Sequence, residues 1–164
     1  MADAALVTFE LVSPEKLLLS DEVEMVVVPG IEGDFGVLPQ HSPLLSTIRP
    51  GVIDVYKDDK VAEKIFVAGG FAEVTETTCT VLAEEAANLK DLARADLEKR
   101  LKHAEELLQE ADTAEARHDA EREVVIAQAM LDALTEYEKA RHVSSLIRRT
   151  DPAPARRVLR GPLS

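Results

Sequence analysis

Val28-Pro29-Gly30-Ile31-Glu32-Gly33-Asp34-Phe35-Gly36-Val37-Leu38-Pro39-Gln40-His41-Ser42-Pro43-Leu44-Leu45, closed by Arg49-Pro50-Gly51, is the densest run of turn signals in the chain. Glycine and proline divide the sequence around it. Six of the seven glycines lie between Gly30 and Gly70, and none recurs before Gly161. No proline occurs between Pro50 and Pro152, and five of the six aromatic residues precede residue 72. Turn formers punctuate the first half and a long uninterrupted stretch follows, so two structural regimes are expected.

The first half reads as β. Runs rich in Val, Ile, Thr and Phe recur at spacings of roughly 8–12 residues between turn signals. They predict strands at Leu6–Val12, Lys16–Leu19, Val23–Val28, Phe35–Leu38, Val52–Lys57, Val61–Val67, Phe71–Val74 and Thr78–Leu82. Val61-Ala62-Glu63-Lys64-Ile65-Phe66-Val67 alternates as a strand with one solvated face does, and Lys57-Asp58-Asp59-Lys60 reads as a hairpin turn. So many short strands within residues 1–84 imply a β-sandwich or flattened barrel.

The second half reads as a helical hairpin over residues 85–145. Leu89, Ala93, Leu97, Leu101, Ala104, Leu108 and Ala111 recur every three to four residues, and Ala120, Val124, Ala127, Leu131 and Leu134 repeat the pattern. Between them, Asp112-Thr113-Ala114-Glu115 fits a capping box with Asp112 as N-cap. Antiparallel packing along a narrow seam is expected, with helices roughly 35–45 Å long that project or lie along a partner. Asp151-Pro152-Ala153-Pro154 ends the pattern, so 146–164 is expected to be a flexible basic tail. The fold class is α+β: an all-β N-terminal unit followed by a two-helix C-terminal one.

Composition narrows the function. The 164 residues carry 46% hydrophobic side chains, enough for a core, and no apolar run approaches the ~20 residues of a membrane span. The N-terminus reads as neither a signal nor a transit peptide, and the single cysteine, Cys79, excludes an intrachain disulfide, which suits a reducing compartment. Net charge is −17 over residues 1–140 and +5 over 141–164, giving the overall −12. A body this acidic repels phosphate backbones, so nucleic acid is not an expected partner.

Catalytic constellations are missing. His41, His103, His118 and His142 show no metal-ligand spacing, and the glycines at 30, 33 and 36 form neither a dinucleotide fingerprint nor a phosphate loop. Glu84-Glu85 and Glu105-Glu106 read as solvated pairs at element ends. No enzyme, metal or tightly bound cofactor is expected. The Val28–Leu45 segment itself has two readings: a β connection stiffened by prolines, or a docking surface that displays Leu44 and Leu45. An adaptor that shows a helical hairpin to an unrelated partner fits these residues as well.

The same segment resembles the signature of the epsilon subunit of bacterial F-type ATP synthases: a turn, Glu-Gly-(acidic)-x-Gly, Pro-x-His-x-Pro-Leu-Leu, then Pro-Gly. Phe66-Val67-Ala68-Gly69-Gly70-Phe71-Ala72-Glu73-Val74 matches the family's Gly-Gly-x-x-Glu-Val strand pair. The resemblance covers residues 5–140 and includes the order of the two units. It implies a non-catalytic rotor subunit on the cytoplasmic face of the bacterial inner membrane, whose β-sandwich binds gamma and rests on the c-ring. Carried over by motif, Asp34 and His41 lie in the loop facing those partners, Pro39, Pro43, Leu44 and Leu45 shape the contact, and Ser13 falls near gamma. The family's hairpin is regulatory: it extends into the alpha/beta head and inhibits hydrolysis, or folds back, and in some members the folded form binds ATP. The associated motif, an aliphatic residue followed by Asp-x-x-Arg-Ala, is matched at Asp91 and Arg94, but Lys90 replaces the aliphatic residue. ATP is therefore expected as a weak regulatory ligand at most, in the millimolar range or absent.

Overall fold

The computed structural model describes residues 5–150, and in it strands precede helices as the sequence predicts. Strands β1 (Val7–Val12), β2 (Leu17–Val23), β3 (Met25–Gly30), β4 (Gly33–Val37), β5 (Leu44–Ile48), β6 (Gly51–Lys57), β7 (Lys60–Val67), β8 (Gly70–Val74), β9 (Thr78–Ala83) and β10 (Ala86–Asn88) form one curled sheet. Its order is β10-β7-β6-β3-β5-β8-β9-β1-β2, with β4 paired to β3, and every pairing is antiparallel except β1 with β9. Alternate residues of each strand point inward. Val7, Phe9 and Leu11 of β1, Ile53 and Val55 of β6, and Val81 of β9 meet there in a closed apolar core. The β6–β7 turn has Asp58 at φ 53° and Asp59 at φ 59°, the signature of a two-residue hairpin whose twist matches its strands.

Two strands escape the sequence reading. β5 lies in the segment read as an extended loop; Leu44 and Leu45 are adjacent and both exposed, so no alternation marks it. β10 spans three residues and pairs with β7, carrying the sheet past residue 84.

The helices also depart from expectation. Leu89–Asp91 forms a 3₁₀ turn, anchored by buried Leu89 and capped by Asn88 Oδ1, which accepts from the Lys90 amide at 3.2 Å. Helix α1 therefore starts only at Arg94 and ends at Glu110. Helix α2 runs from Ala114 to Thr150, and its N-cap is Thr113, not Asp112: the Thr113 hydroxyl accepts from the Ala116 amide at 3.0 Å. With 17 and 37 residues, the helices are roughly 26 and 56 Å long, unequal where similar lengths were expected. Residues 146–150, assigned from sequence to a flexible tail, are helical, because no helix breaker intervenes before Asp151-Pro152. The rest of that predicted tail, 151–164, lies outside the described residues.

The hairpin does not project. It lies along the outer face of β6, β7 and β10, where a second core forms around Phe66 with Ala68, Leu89, Leu97, Ile126, Met130, Leu131 and Leu134. Phe66 belongs to the outward set of β7, between inward Ile65 and Val67, yet is fully buried because the helices cover it. The predicted seam is also present: Ala120, Ala127, Leu131 and Leu134 are buried, as are Leu97 and Ala104 of α1. Ile126 and Met130 form the additional row that seats α2 on the sheet, so its buried stripe is wider than a two-helix seam requires.

Ion pairs fix the edge of this seat. Arg100 of α1 donates two bonds to Glu85, at 2.7 and 2.9 Å, and one to Glu123 of α2 at 2.6 Å; Arg122 pairs with Glu84. The hydrogen bonds from Arg100 hold the Glu85 carboxyl below its usual 4.5, against partial burial, which raises it.

Phe66→Ala is expected to weaken hairpin docking by about 3–5 kcal/mol. Amide exchange should then accelerate in α2 around residues 126–134 while β1, β8 and β9 stay protected; uniform acceleration would show that the two cores are one cooperative unit. Glu85, ionised in the docked state, contributes fully above the ordinary glutamate range and loses that contribution as pH falls through its depressed value. Docking followed by exchange should therefore weaken with acid below about pH 4.5, and Glu85→Gln should be weaker at neutral pH and less sensitive over that interval.

Candidate functional site

The residues singled out by sequence do not form one loop. Asp34 sits at the tip of the β3–β4 hairpin, where Gly30 pairs with Gly33. A Cβ on Gly30 would lie 2.7 Å from the Gly33 carbonyl oxygen and 2.9 Å from the Phe35 ring, so glycine is required for this close approach. Arg49, just past β5, clamps the tip: its guanidinium donates to the Gly30 carbonyl and to Asp34 Oδ1, both at 2.5 Å, and its amide donates to the Pro29 carbonyl at 3.0 Å. Asp34 thus has a defined structural partner, and the clamped turn presents Ile31, which is 63% exposed.

His41 lies at the other end of β4. Its loop is held by backbone bonds from Gln40 to Glu76 at 2.8 Å and from His41 to Leu38 at 3.2 Å, and His41 Nδ1 is 2.6 Å from the Ser42 carbonyl oxygen. Pro39, Pro43 and Leu44 share this end, because Leu44 pairs with Val74 beside the Thr75–Thr78 turn. Ser13 closes the β1–β2 turn by bonding Lys16 through its hydroxyl and amide. That turn is at the Asp34 end of the sheet but across β8 and β9 from it, since Val12 pairs with Leu82 and Gly70 with Ala83. The loop expected to carry both Asp34 and His41 is instead split by a strand: Asp34 lies at the start of β4 and His41 beyond its end.

Leu45 and Ser13 adjoin a surface the sequence reading missed. Cross-strand register lines up Thr47, Phe71, Leu82, Val12 and Leu17 on the outer face of β5, β8, β9, β1 and β2. Phe71, Leu82 and Leu17 are each more than half exposed. Leu45, 72% exposed, is the diagonal neighbour of Phe71, Ser13 follows Val12, and Val125 of α2 extends the row beyond Phe71. Single exposed leucines need no explanation, but Phe71, Leu82, Val12 and Leu17 on four adjacent strands form an apolar patch. The signal was available: once Ala72, Val74, Cys79 and Val81 are taken as inward, Phe71 and Leu82 must face out.

No reactive constellation is assembled among the described residues. Cys79 is buried, which pushes its thiol up to about 12. Among the described residues no group of His, Cys, Asp and Glu could hold a metal. Asp91 is exposed in the 3₁₀ turn, while Arg94 reaches across to α2, donating to Thr135 Oγ1 at 3.0 Å and Glu138 Oε2 at 2.7 Å. Among the described residues no hydrogen bond or ion pair joins Asp91 to Arg94, and the nearby Arg122 pairs with Glu84. No described helix is long and apolar enough to cross a membrane.

Residues 6–89 match the family described as the beta-sandwich domain of the ATP synthase Delta/Epsilon chain, a span that includes β10 and ends at Leu89. The ATP synthase epsilon chain of Rhodospirillum rubrum is 56% identical over 125 residues, covering 76% of this chain and 93% of that one. That of Rhodospirillum centenum is 53% identical over 137 residues, covering 80% and 94%. Among solved structures, a chain in the Euglena gracilis mitochondrial ATP synthase aligns with TM-score 0.68 at 23% identity over 79% of this chain and 82% of its own, a likeness of fold. These matches show that the chain belongs to the epsilon-chain family of bacterial F-type ATP synthase, whose members are non-catalytic subunits.

Proposed function

We propose that the protein is a rotor component of the central stalk, coupling rotation of a membrane ring of c subunits to the catalytic head through gamma. The observation that carries this reading is the apolar row Phe71–Leu82–Val12–Leu17. It faces away from the docked hairpin and presents a firm, sheet-backed surface to a shaft-like partner such as gamma. The loop carrying Pro39, His41 and Pro43 flanks the same partner, with Leu44 and Leu45 at its margin. The Arg49-clamped tip with Ile31 and Asp34 faces the ring. Attachment is then peripheral, at the cytoplasmic face of the inner membrane.

The hairpin is the regulatory part of this reading. Docked, it hides the helical face built on Leu97, Ile126, Met130 and Leu134; released, it would offer that face to the alpha/beta head and inhibit hydrolysis. Nucleotide is not its main control, because Arg94 is already engaged by Glu138 and Thr135.

Two matched substitutions test the docking surface. Leu82→Asp and Leu45→Asp should each weaken binding to gamma by about 2 kcal/mol or more, the effect of removing a central interface anchor. The thermal midpoint of the isolated protein should change little, since both side chains are exposed in the free chain. A drop of several degrees with unchanged affinity per folded molecule would assign these residues to the fold and remove them from the interface.

A further inference from the structure

A cleft of about 600 Å³ opens where the last turns of α2 overrun the sheet, between Val61–Lys64 of β7, the 3₁₀ turn and α2 from Tyr137 to Arg148. Its walls bring together Lys64, Lys90, Arg141 and Arg148, with Glu63 as the single carboxylate residue among them. Arg141 and Arg148 are seven residues apart, two helical turns, so they share one face of α2, and Ser144 and Ser145 lie between them. Lys64 is bonded to Asp54 at 2.9 Å. Lys90, Arg141 and Arg148 have no carboxylate within ion-pair distance among the described residues; Arg141 instead lies 5.7 Å from the centre of the Tyr137 ring.

This is contrary to the balance of the chain, which has 31 acidic side chains against 19 basic ones. Three cations without acidic partners among the described residues, gathered from two elements onto one concavity, repel one another unless an anion sits between them. Guanidinium groups match phosphate oxygens geometrically, and the serine hydroxyls and the Lys90 ammonium add donors around the same space. The diffuse negative field of the body is screened over ~8 Å at physiological salt, whereas these donors act at contact.

We propose that this cleft binds a multiply charged phosphate anion, held by Arg141, Arg148 and Lys90. Asp91 and Arg94 are not among its walls, so it is distinct from the Asp-x-x-Arg-Ala motif. The phosphate belongs either to a soluble polyphosphate or to an anionic lipid headgroup. An anion there would bridge α2 to the 3₁₀ turn and stiffen the hairpin in its docked position.

Calorimetric titration of the full chain with tripolyphosphate is the test, with capture on phosphatidylcholine vesicles, with and without phosphatidylglycerol, as the second arm. Binding is expected to weaken about tenfold on Arg148→Ala, further on adding Arg141→Ala, and to fall with added salt, while Arg94→Ala leaves it unchanged. Both cleft arginines are exposed in α2, and circular dichroism verifies that the helix persists in the variants. Tripolyphosphate binding identifies a soluble ligand. Capture only by vesicles containing phosphatidylglycerol, lost in the double variant, identifies a headgroup. No binding in either arm, or binding that persists in the double variant and disappears in Arg94→Ala, would overturn the proposal.

Discussion

The packing of Phe66 sets the architecture. The C-terminal end of strand β7 buries both its faces: Ile65 and Val67 turn into the closed β core, and Phe66 turns out beneath the helices. A fully exposed phenylalanine at that position would forfeit about 2–3 kcal/mol of burial, and the hairpin removes it from water. Because α2 must present Ile126 and Met130 to Phe66 while keeping Ala120, Ala127 and Leu131 against α1, its buried stripe is broad and its position on the sheet is fixed. Arg100 then bridges Glu85 of the sheet's edge to Glu123 of α2, adding direction to a contact that is otherwise only apolar.

Covering β6, β7 and β10 divides the outer surface of the sheet. One flank is occupied by the protein's own helices; the other, across β8, β9, β1 and β2, keeps its apolar row open. The two flanks meet near Phe71, where Val125 and Ile126 of α2 line the same depression as Ile48 and Gly70. A Cβ on Gly70 would lie 1.9 Å from the Leu82 carbonyl oxygen, so the turn from β7 to β8 depends on glycine there. That turn links the strand under the hairpin to the strand bearing the exposed row. The seat of the helices and the open row are therefore adjacent on one continuous sheet.

Much of this was legible in the sequence. The distribution of glycine and proline separated the β and helical regimes, runs of Val, Ile, Thr and Phe between turns marked most strands, and apolar residues every three to four positions found the seam of the hairpin. What failed did so for physical reasons. β5 has no alternation because both of its leucines are exposed, and a three-residue strand such as β10 carries too little pattern to read. The seating of the helices was missed because Phe66 looks like an ordinary member of an alternating strand; only tertiary contact reveals that its outward face is dry. Asp112 and Thr113 are both competent N-caps, and local sequence does not choose between them. Motif transfer singles out Asp34 and His41 as one loop, while strand pairing, invisible in one dimension, places Asp34 at the start of β4 and His41 beyond its end.

The central claim is that the free flank, not the hairpin flank, meets the central shaft. Site-specific photo-crosslinking in the assembled ATP synthase tests it most directly, with a photoreactive residue at Leu82 in one preparation and at Val52, under the hairpin, in another. The account predicts adducts with gamma from Leu82 and, while the hairpin is docked, adducts only within the chain from Val52. Gamma adducts from Val52 with none from Leu82 would contradict it.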